Sequence, residues 1–358
     1  HLGLYQLREL DKIPASAAVN ESVELARKYC PRQKNAPALV NAVLRTAVRT
    51  LGSWQEPTSY ADRYSHPEAL IALLKQSLPK GQLEPMLIAD NTIPPITIQV
   101  NTLKTDPQAL ESALISHGVT CARHRWMTDC LVLTNAGNLE HLEEFRAGLF
   151  YVQDPASRLS VQCAGLQEGW QVLDCCAAPG GKSFAACLSM KDTGKIISCD
   201  VYPHKAELIA AGAKRLGFDN IVPLCRDATQ DRADWTGAFD AVIVDAPCSG
   251  LGIIRKKPDI RYKDLAQTEQ LPALQENILA VQSRFVRPGG VLMYSTCTVL
   301  PRENEQVVAR FLEAHPDFYR EPLALPEVFP RNESGMLTLI PGQYDTDGFF
   351  ICRLRRKQ

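Results

Sequence analysis

The sequence lacks several features that would each indicate a particular class of protein. Its 358 residues contain no run of 18 apolar residues and no segment that resembles a signal peptide, so neither a membrane span nor secretion is predicted. None of the 12 cysteines forms a C-x-x-C pair, the spacing typical of zinc and redox sites. We therefore expect no metal site, and a reducing cytoplasm in which most cysteines act as small core residues.

A strong excess of charge is also missing. The 39 basic and 40 acidic residues leave a formal net charge of −1, so bulk charge does not hold this chain on a nucleic acid. Contacts with phosphate would have to come from local basic stretches, at 123–126, 254–263 and 353–357. A solvated surface is the alternative for each stretch. The candidate RNA-binding residues of the middle stretch are Arg255, Lys256, Lys257 and Arg261.

The two common phosphate-binding loops are absent as well. The stretch VLDCCAAPGGKS ends like a P-loop, but Cys176 stands where that pattern requires its first glycine, and Pro179 has no N–H to donate. The dinucleotide pattern G-x-G-x-x-G does not occur at this point either. What remains is a strand, Asp174, a tight turn and the start of a helix.

Three segments with different patterns follow one another along the chain. Residues 1–60 are predicted to be helical, and residues 61–150 mix helices with short alternating strands, which indicates a small α+β domain. In residues 151–358 strands alternate with helices, which predicts an α/β domain with a parallel sheet. The predicted core-facing residues of the two main N-terminal helices are Val19, Val23, Ala26, Leu39, Val43 and Ala47.

Acidic residues follow four strands of the predicted parallel sheet, where such sheets bind their ligands. These acids are Asp174, Asp200, Asp227 and Asp245. Asp200 suits the hydroxyls of a ribose and Asp227 suits an adenine amino group, although a helix cap is the alternative for both. Four carboxylates favour a cationic ligand and repel a pyrophosphate. S-adenosylmethionine, which carries a sulfonium, a ribose and an adenine, is therefore the predicted cofactor.

Two cysteines stand where neighbouring strands end. Cys248 follows the fourth strand beside Asp245, and Cys297 follows the fifth, so both thiols are expected in one crevice, with buried core thiols as the alternative. This set suits methylation of a pyrimidine at C5, which needs a thiolate that adds to C6, an acid at N3 and a base for the C5 proton. Asp245 is the candidate acid. The pattern alone does not decide which thiol attacks or what activates it.

Three motifs in the last segment, DCCAAPGGKS, DAPCSGLG and YSTCT, resemble those of the bacterial 16S ribosomal RNA cytosine-C5 methyltransferases of the RsmB/Sun (Fmu) type. The resemblance implies a class I, Rossmann-like domain with a seven-stranded sheet, S-adenosylmethionine as methyl donor and a flipped cytosine as target. It implies Cys297 as the nucleophile and Cys248 as the thiol that assists release. It carries over, as cofactor contacts, Cys176, Ala177, Ala178, Pro179, Gly180, Gly181, Lys182, Asp200, Asp227 and Asp245.

The first two segments resemble the same family. IPASAAVNESVELARKY followed by VNAVLR is similar to the C-terminal part of a NusB-like RNA-binding domain, which we expect to be shortened here, and residues 61–150 resemble the family's RRM-like domain. The implied partner is 16S ribosomal RNA or an assembling small ribosomal subunit, with no membrane and no oligomer required. Two alternatives stay open: the same chemistry on transfer RNA or another ribosomal cytosine, and an inert RNA-binding or antitermination module.

Overall fold

The computed structural model describes residues 1–55 and 57–358, which divide into two compact units, His1–Arg63 and Tyr64–Gln358. The first unit is helical. Its helices of eight residues or more are α1 (Leu2–Glu9), α2 (Ala15–Tyr29) and α3 (Ala36–Thr50). A short helix, α4 (Tyr60–Tyr64), lies at the boundary between the units.

The buried face of α3 differs from the one predicted. Ala47 is buried as expected, but Leu39 is 64% exposed and Val43 is 47% exposed, whereas Leu44 is buried. The reason is α1, which approaches so closely at Gly3 that a Cβ there would collide with Leu44. Leu44 lies about 100° around the helix from Val43. The apolar pattern of α3 alone did not show on which side α1 would pack.

The second unit begins with an α+β region. Its helices are α5 (Glu68–Ser77), α6 (Leu83–Asp90), α7 (Pro107–Ser116) and α8 (Glu143–Arg146). Its strands are β1 (Ile96–Val100), β2 (Thr120–Arg123), β3 (Cys130–Thr134) and β4 (Phe150–Val152). The strands pair antiparallel in the order β2-β3-β1-β4. This arrangement agrees with the predicted small α+β domain.

Strands and helices then alternate up to the fifth strand of a large sheet, with one exception. The helices are α9 (Pro155–Ala164), α10 (Gly181–Ser189), α11 (Pro203–Leu216), α12 (Leu271–Ser283) and α13 (Glu305–Ala314). The strands of the parallel part are β5 (Gln171–Asp174), β6 (Lys195–Asp200), β7 (Ile221–Cys225), β8 (Phe239–Asp245) and β9 (Val286–Thr296). The exception is that β7 and β8 are joined by a loop with one 3-10 turn (Ala233–Trp235) in place of the expected helix. Three antiparallel strands complete the sheet: β10 (Phe318–Arg320), β11 (Met336–Leu339) and β12 (Phe349–Arg356).

The strand order is β10-β12-β9-β8-β5-β6-β7, and β11 also pairs with β12. Both β10 and β11 pair with the edge of β12 that does not face β9, so eight strands occupy seven positions. The predicted Rossmann-like α/β fold is confirmed. The chain order reverses between β5 and β8, which is where open parallel sheets bind their ligands.

The sheet is buried on both faces, which explains the nearly continuous apolar runs of its central strands. One core cluster includes Ile243 and Met293, and the other includes Val242 and Leu292, in keeping with side chains that alternate between faces. None of the helices in the described part of the chain is long and apolar enough to cross a membrane.

Candidate active site

The turn after β5 brings backbone to the edge of the sheet. Gly180 has a φ of +114°, and a Cβ at this position would collide with the Phe184 ring, so the turn requires glycine. The Ala177 N–H donates to the Cys199 carbonyl over 2.8 Å, which holds the turn against β6. The first turn of α10 then projects Lys182 from a fixed position.

A cavity of about 410 Å³ opens at the carboxyl ends of the parallel strands. Its carboxylates are Asp200, Asp227 and Asp245, and part of its apolar wall is formed by Leu274 and Ile278 of α12. Three acids opposite an apolar wall suit a ligand that combines positive charge, hydroxyl groups and a flat base. The chemistry of this lining therefore fits S-adenosylmethionine.

Two of these acids are held by local hydrogen bonds. Asp200 is buried, and its oxygens accept from the Tyr202 N–H over 3.3 Å and the Ala178 N–H over 3.4 Å. One oxygen of Asp227 accepts from both the N–H and the hydroxyl of Thr229, each over 2.8 Å. Asp227 thus stabilises its own turn while it also lines the cavity; the next helical element begins only at Ala233, so the helix-cap alternative is wrong for Asp227.

Asp174 does not join the other three acids. It is fully buried behind the turn, where it accepts a 2.7 Å hydrogen bond from Ser183, which in turn accepts one from Ser198. Burial raises the pKa of Asp174 to about 7. The expectation of four acids facing a cationic ligand is therefore wrong for Asp174, because a strand-end residue can point into the core as well as out of it.

The ten predicted cofactor residues divide into two groups. The lining of the cavity includes Cys176, Ala178, Asp200, Asp227 and Asp245. The others belong to the turn or to α10 and are not among the lining residues: Ala177, Pro179, Gly180, Gly181 and Lys182. Sequence reasoning missed the lining residues Val201, Tyr202, Lys205, Leu274 and Ile278. The position of Val201 and Tyr202, directly after Asp200 at the end of β6, was a usable signal.

The ends of β8 and β9 bring the two thiols together. The strands are parallel, with Asp245 opposite Ser295, and the Sγ atoms of Cys248 and Cys297 lie 3.2 Å apart. Both thiols are partly exposed. The Gly252 N–H donates to the Cys297 carbonyl over 3.0 Å, so the loop after Cys248 also holds the backbone of Cys297. The distance between the two sulfur atoms allows one hydrogen bond between them, with either thiol as the donor.

Lys182 lies beside this pair, in an ion pair that sequence reasoning did not identify. Its ammonium is 2.5 Å from one oxygen of Asp245 and 3.0 Å from the Ser157 hydroxyl, and the other Asp245 oxygen accepts from Ser295 over 2.9 Å. The Lys182 side chain is only 8% exposed. The lysine that made the turn look like a P-loop therefore faces a carboxylate.

The charges around the two sulfur atoms act on them unequally. The hydrogen bond from Cys248 lowers the pKa of Cys297, and Lys182 lowers it further, against opposing contributions from burial and Asp245. The same hydrogen bond, with burial, raises the pKa of Cys248 well above its ordinary value. The arrangement favours a thiolate on Cys297 and a thiol on Cys248.

The four candidate RNA-binding residues do not form one exposed patch. Arg261 is buried and donates to the Ser65 and Asp90 carbonyls and to the Asn91 side chain, so the expectation that it offers its charge to a phosphate does not fit its position. Arg255 and Lys256 are paired within the chain as well, because both contact Asp347. Lys256 and Lys257 are both exposed.

The other two basic stretches are largely neutralised. At 123–126, Arg123 pairs with Glu111 over 3.2 Å, Arg125 lies 3.8 Å from Asp345, and His124 is buried. At 353–357, Arg353 and Arg355 both pair with Glu321. Most arginines of these two stretches therefore form ion pairs with acids from other segments of the chain.

Comparison with protein families identifies the same three regions. The model described as 16S rRNA methyltransferase RsmB/F matches residues 161–355, a ferredoxin-like domain of RsmF/B-like methyltransferases matches residues 66–140, and the NusB family matches residues 1–49. The first of these matches covers more than half of the chain.

Curated relatives match nearly the full length. "Probable ribosomal RNA small subunit methyltransferase B" of Bacillus subtilis is 35% identical over 369 residues, which cover 99% of this chain and 81% of that protein. "Ribosomal RNA small subunit methyltransferase B" of Vibrio cholerae is 34% identical, with 99% and 80% covered.

Solved structures share the fold. The crystal structure of PH0851 matches with a TM-score of 0.84 and 27% identity, over 99% of this chain and 80% of that one. NSun6 from Pyrococcus horikoshii, solved with SFG, matches with a TM-score of 0.71 and 20% identity, over 82% and 98%. The predicted cofactor, S-adenosylmethionine, is confirmed by the methyltransferase family together with this fold. On the matched regions and the near full-length relatives, the chain belongs to the RsmB/F family of 16S rRNA methyltransferases.

Proposed function

We propose that this chain methylates C5 of a cytosine in 16S ribosomal RNA, through a covalent adduct between Cys297 and C6 of the base. The observation that carries the proposal is the pair of sulfur atoms 3.2 Å apart, next to the Lys182–Asp245 ion pair. Methylation of an oxygen or an exocyclic nitrogen has no use for two adjacent thiols. A C5 methylation needs one thiol that attacks and a second group that removes a proton.

The roles of the residues follow from their charges. Cys297, the more acidic thiol, forms the bond to C6 of a flipped cytosine, and the C5=C6 electron pair moves towards C5. The Lys182–Asp245 pair stabilises the charge that develops at N3 by sharing a proton with it. When bound in the acid-lined cavity, S-adenosylmethionine supplies the methyl group.

Cys248 completes the reaction. Once the Cys297 sulfur is bonded to carbon it carries no charge, so the contacts with Cys297 that raise the pKa of Cys248 are lost. Cys248 can then lose its proton to water and accept the proton from C5. The C5–H electron pair restores the double bond, the S–C6 bond breaks, and the thiolate returns to Cys297.

The other regions supply the RNA contacts in this proposal. We assign residues 1–60 to a NusB-like RNA-binding domain, 61–150 to an RRM-like domain and 151–358 to the catalytic domain, with 16S rRNA or an assembling small subunit as the partner. These assignments rest on the family matches and on the fold of each region. Transfer RNA as the substrate and an inert module are the outcomes that the test must separate.

The test is bisulfite sequencing of ribosomal RNA and transfer RNA from cells with and without the gene, combined with methylation of 16S rRNA by the purified full chain. We expect one 16S cytosine to lose its protection from bisulfite in the deletion strain and to regain it on treatment with the protein. Loss of protection in transfer RNA alone, or no change in any RNA, contradicts the proposal.

A further inference from the structure

A buried carboxylate lies against the loop of Cys248, on the opposite side from the turn after β5. Glu303 precedes α13 and is fully buried. Its Oε2 accepts a 2.8 Å hydrogen bond from the Ser249 N–H and a 3.1 Å hydrogen bond from the Gln275 amide. The same Gln275 amide donates to the Pro247 carbonyl over 2.9 Å. Glu303 and Gln275 therefore hold the backbone on both sides of Cys248.

Glu303 contacts the backbone of the loop that carries Cys248. The charge of Glu303 contributes to raising the pKa of Cys248, after the hydrogen bond to Cys297 and burial. The causes of the Cys297 pKa shift include the charges of Asp245, Lys182 and Asp347. The hydrogen bond from the Ser249 N–H holds the Glu303 carboxylate against the loop of Cys248, whose sulfur lies 3.2 Å from that of Cys297.

Two other carboxylates act on the thiol pair. Asp245 raises the pKa of both Cys248 and Cys297, and Asp347 raises that of Cys297. Lys182 lowers the pKa of Cys297 from one side, and Glu303 raises that of Cys248 from the other. The two opposite charges flank the thiol pair and polarise it in the same direction.

We propose that Glu303 is a positioning residue that keeps the single proton of the thiol pair on Cys248, so that Cys297 is the thiolate. In this state the Cys248 S–H donates to the Cys297 sulfur, and no bond to carbon has formed. The inference rests on the proposed function for the meaning of the two thiols, but the proton's location can be measured without RNA or cofactor.

The experiment is alkylation of the full chain with limiting iodoacetamide between about pH 6 and pH 9, with labelled Cys297 and Cys248 peptides quantified by mass spectrometry. Because only the thiolate is nucleophilic, the ratio of the two labels reports where the proton lies. We expect the wild type to be labelled mainly at Cys297. Glu303→Gln should lower the Cys297:Cys248 ratio by about tenfold, the change expected when a nearby charge is removed.

A matched control is available in the same stretch of sequence. Glu305 is a partly buried carboxylate two residues from Glu303, but it accepts from the Thr338 hydroxyl over 2.8 Å, and Thr338 belongs to β11 on the edge of β12 that does not face β9. Glu305→Gln is expected to leave the ratio unchanged. Glu303→Asp keeps the charge but moves it away from the Ser249 N–H, and should give a ratio between those of the wild type and Glu303→Gln; it serves alone if the glutamine variant does not fold.

Three results overturn the proposal: a wild-type ratio that favours Cys248, a ratio unchanged within about twofold in the folded Glu303 variants, or an equal change in Glu305→Gln. Its failure is distinguishable from failure of the proposed function. An unchanged ratio with normal C5 methylation removes only the role of Glu303. A ratio that falls in Glu303→Gln, together with a wild-type protein that methylates no cytosine C5, leaves the role of Glu303 standing and refutes the proposed reaction.

Discussion

The cofactor cavity and the thiol crevice, which holds Cys248 and Cys297, share one residue, Asp245. The cavity favours a cation, whereas the crevice favours a thiolate. In the cavity, Asp245 joins Asp200 and Asp227 in a lining that favours a cation. In the crevice, the same carboxylate is paired with Lys182, whose charge lowers the pKa of Cys297. One strand end can therefore serve a cationic ligand on one side and a thiolate on the other, provided that a lysine compensates the carboxylate on the thiolate side.

The largest expected effect separates the two thiols of the crevice. Cys297→Ala should lower methylation by at least about a thousandfold, because C5 is never activated, and should form no covalent adduct. Cys248→Ala should permit attack and methyl transfer but slow release, so that a protein–RNA adduct survives denaturing electrophoresis. Gel analysis of both single variants and the double variant, which should show no adduct, checks this.

Two results would break the assignment of the thiols. An adduct in Cys297→Ala and none in Cys248→Ala would mean that Cys248 attacks. Normal methylation by both variants would remove the covalent mechanism altogether. Calorimetric titration with S-adenosylmethionine is the control, since neither thiol is among the lining residues of the cofactor cavity and both variants should bind it as the wild type does.

The next largest effect is expected from substitution of Lys182, whose charge distinguishes the thiol crevice from the cofactor cavity. Lys182→Met leaves Asp245 without its ion pair and removes a charge that lowers the pKa of Cys297, so the thiolate forms only at higher pH. We expect about a hundredfold slower methylation at pH 7, and an acid limb of the pH–rate profile that moves to higher pH. Single-turnover rates between about pH 6 and pH 9 measure both.

Lys205→Met provides the matched control on the cavity side. Its ammonium lies 3.6 Å from Asp200 and the side chain is 40% exposed. This variant should change cofactor affinity and leave the acid limb of the pH–rate profile in place. If the two lysine variants shift the profile equally, the contrast between crevice and cavity does not hold.

A smaller effect is expected on the cavity side. Asp200→Ala removes a buried carboxylate next to the turn after β5 and should weaken S-adenosylmethionine binding by about 1–3 kcal/mol through lost hydrogen bonds. Calorimetry measures this directly. The labelling ratio of Cys297 to Cys248 should stay at its wild-type value. Unchanged affinity in a folded variant would remove Asp200 from the cofactor site.

The smallest effect concerns the basic stretch at 254–263. Lys257 is exposed, so Lys257→Gln should reduce the slope of log affinity for RNA against log salt by about 0.7, the loss of one phosphate contact on a single strand. Lys256 is held by Asp154 over 2.9 Å and Asp347 over 2.7 Å. Lys256→Gln should therefore lower the melting temperature and leave the slope unchanged. Filter binding at several salt concentrations and a thermal melt decide; equal slopes for Lys257→Gln and wild type would exclude Lys257 from phosphate contact.

Much of the fold could be predicted because it depends on local pattern. The parallel strands are apolar runs followed by turns. Helix α11 is an example: it begins at Pro203 and ends before Gly217, whose φ is +75°. Both ends follow the local rules for proline at a helix start and glycine after a helix end. The order of strands and helices therefore predicted the α/β sheet and placed Asp200, Asp245, Cys248 and Cys297 at its carboxyl edge.

The sequence by itself determined which reactive groups reach that edge, because side chains at strand ends follow from the strand pattern. Only the tertiary structure decided their partners. It turned Asp174 into the core, paired Lys182 with Asp245, buried Arg261 and set Glu303 against the loop of Cys248. The contacts of Lys182, Arg261 and Glu303 join segments more than 50 residues apart, and all four depend on a side-chain direction and a distance of a few ångströms. Electrostatic interactions are strong only at such distances, so the charge of a site is decided by packing and not by composition.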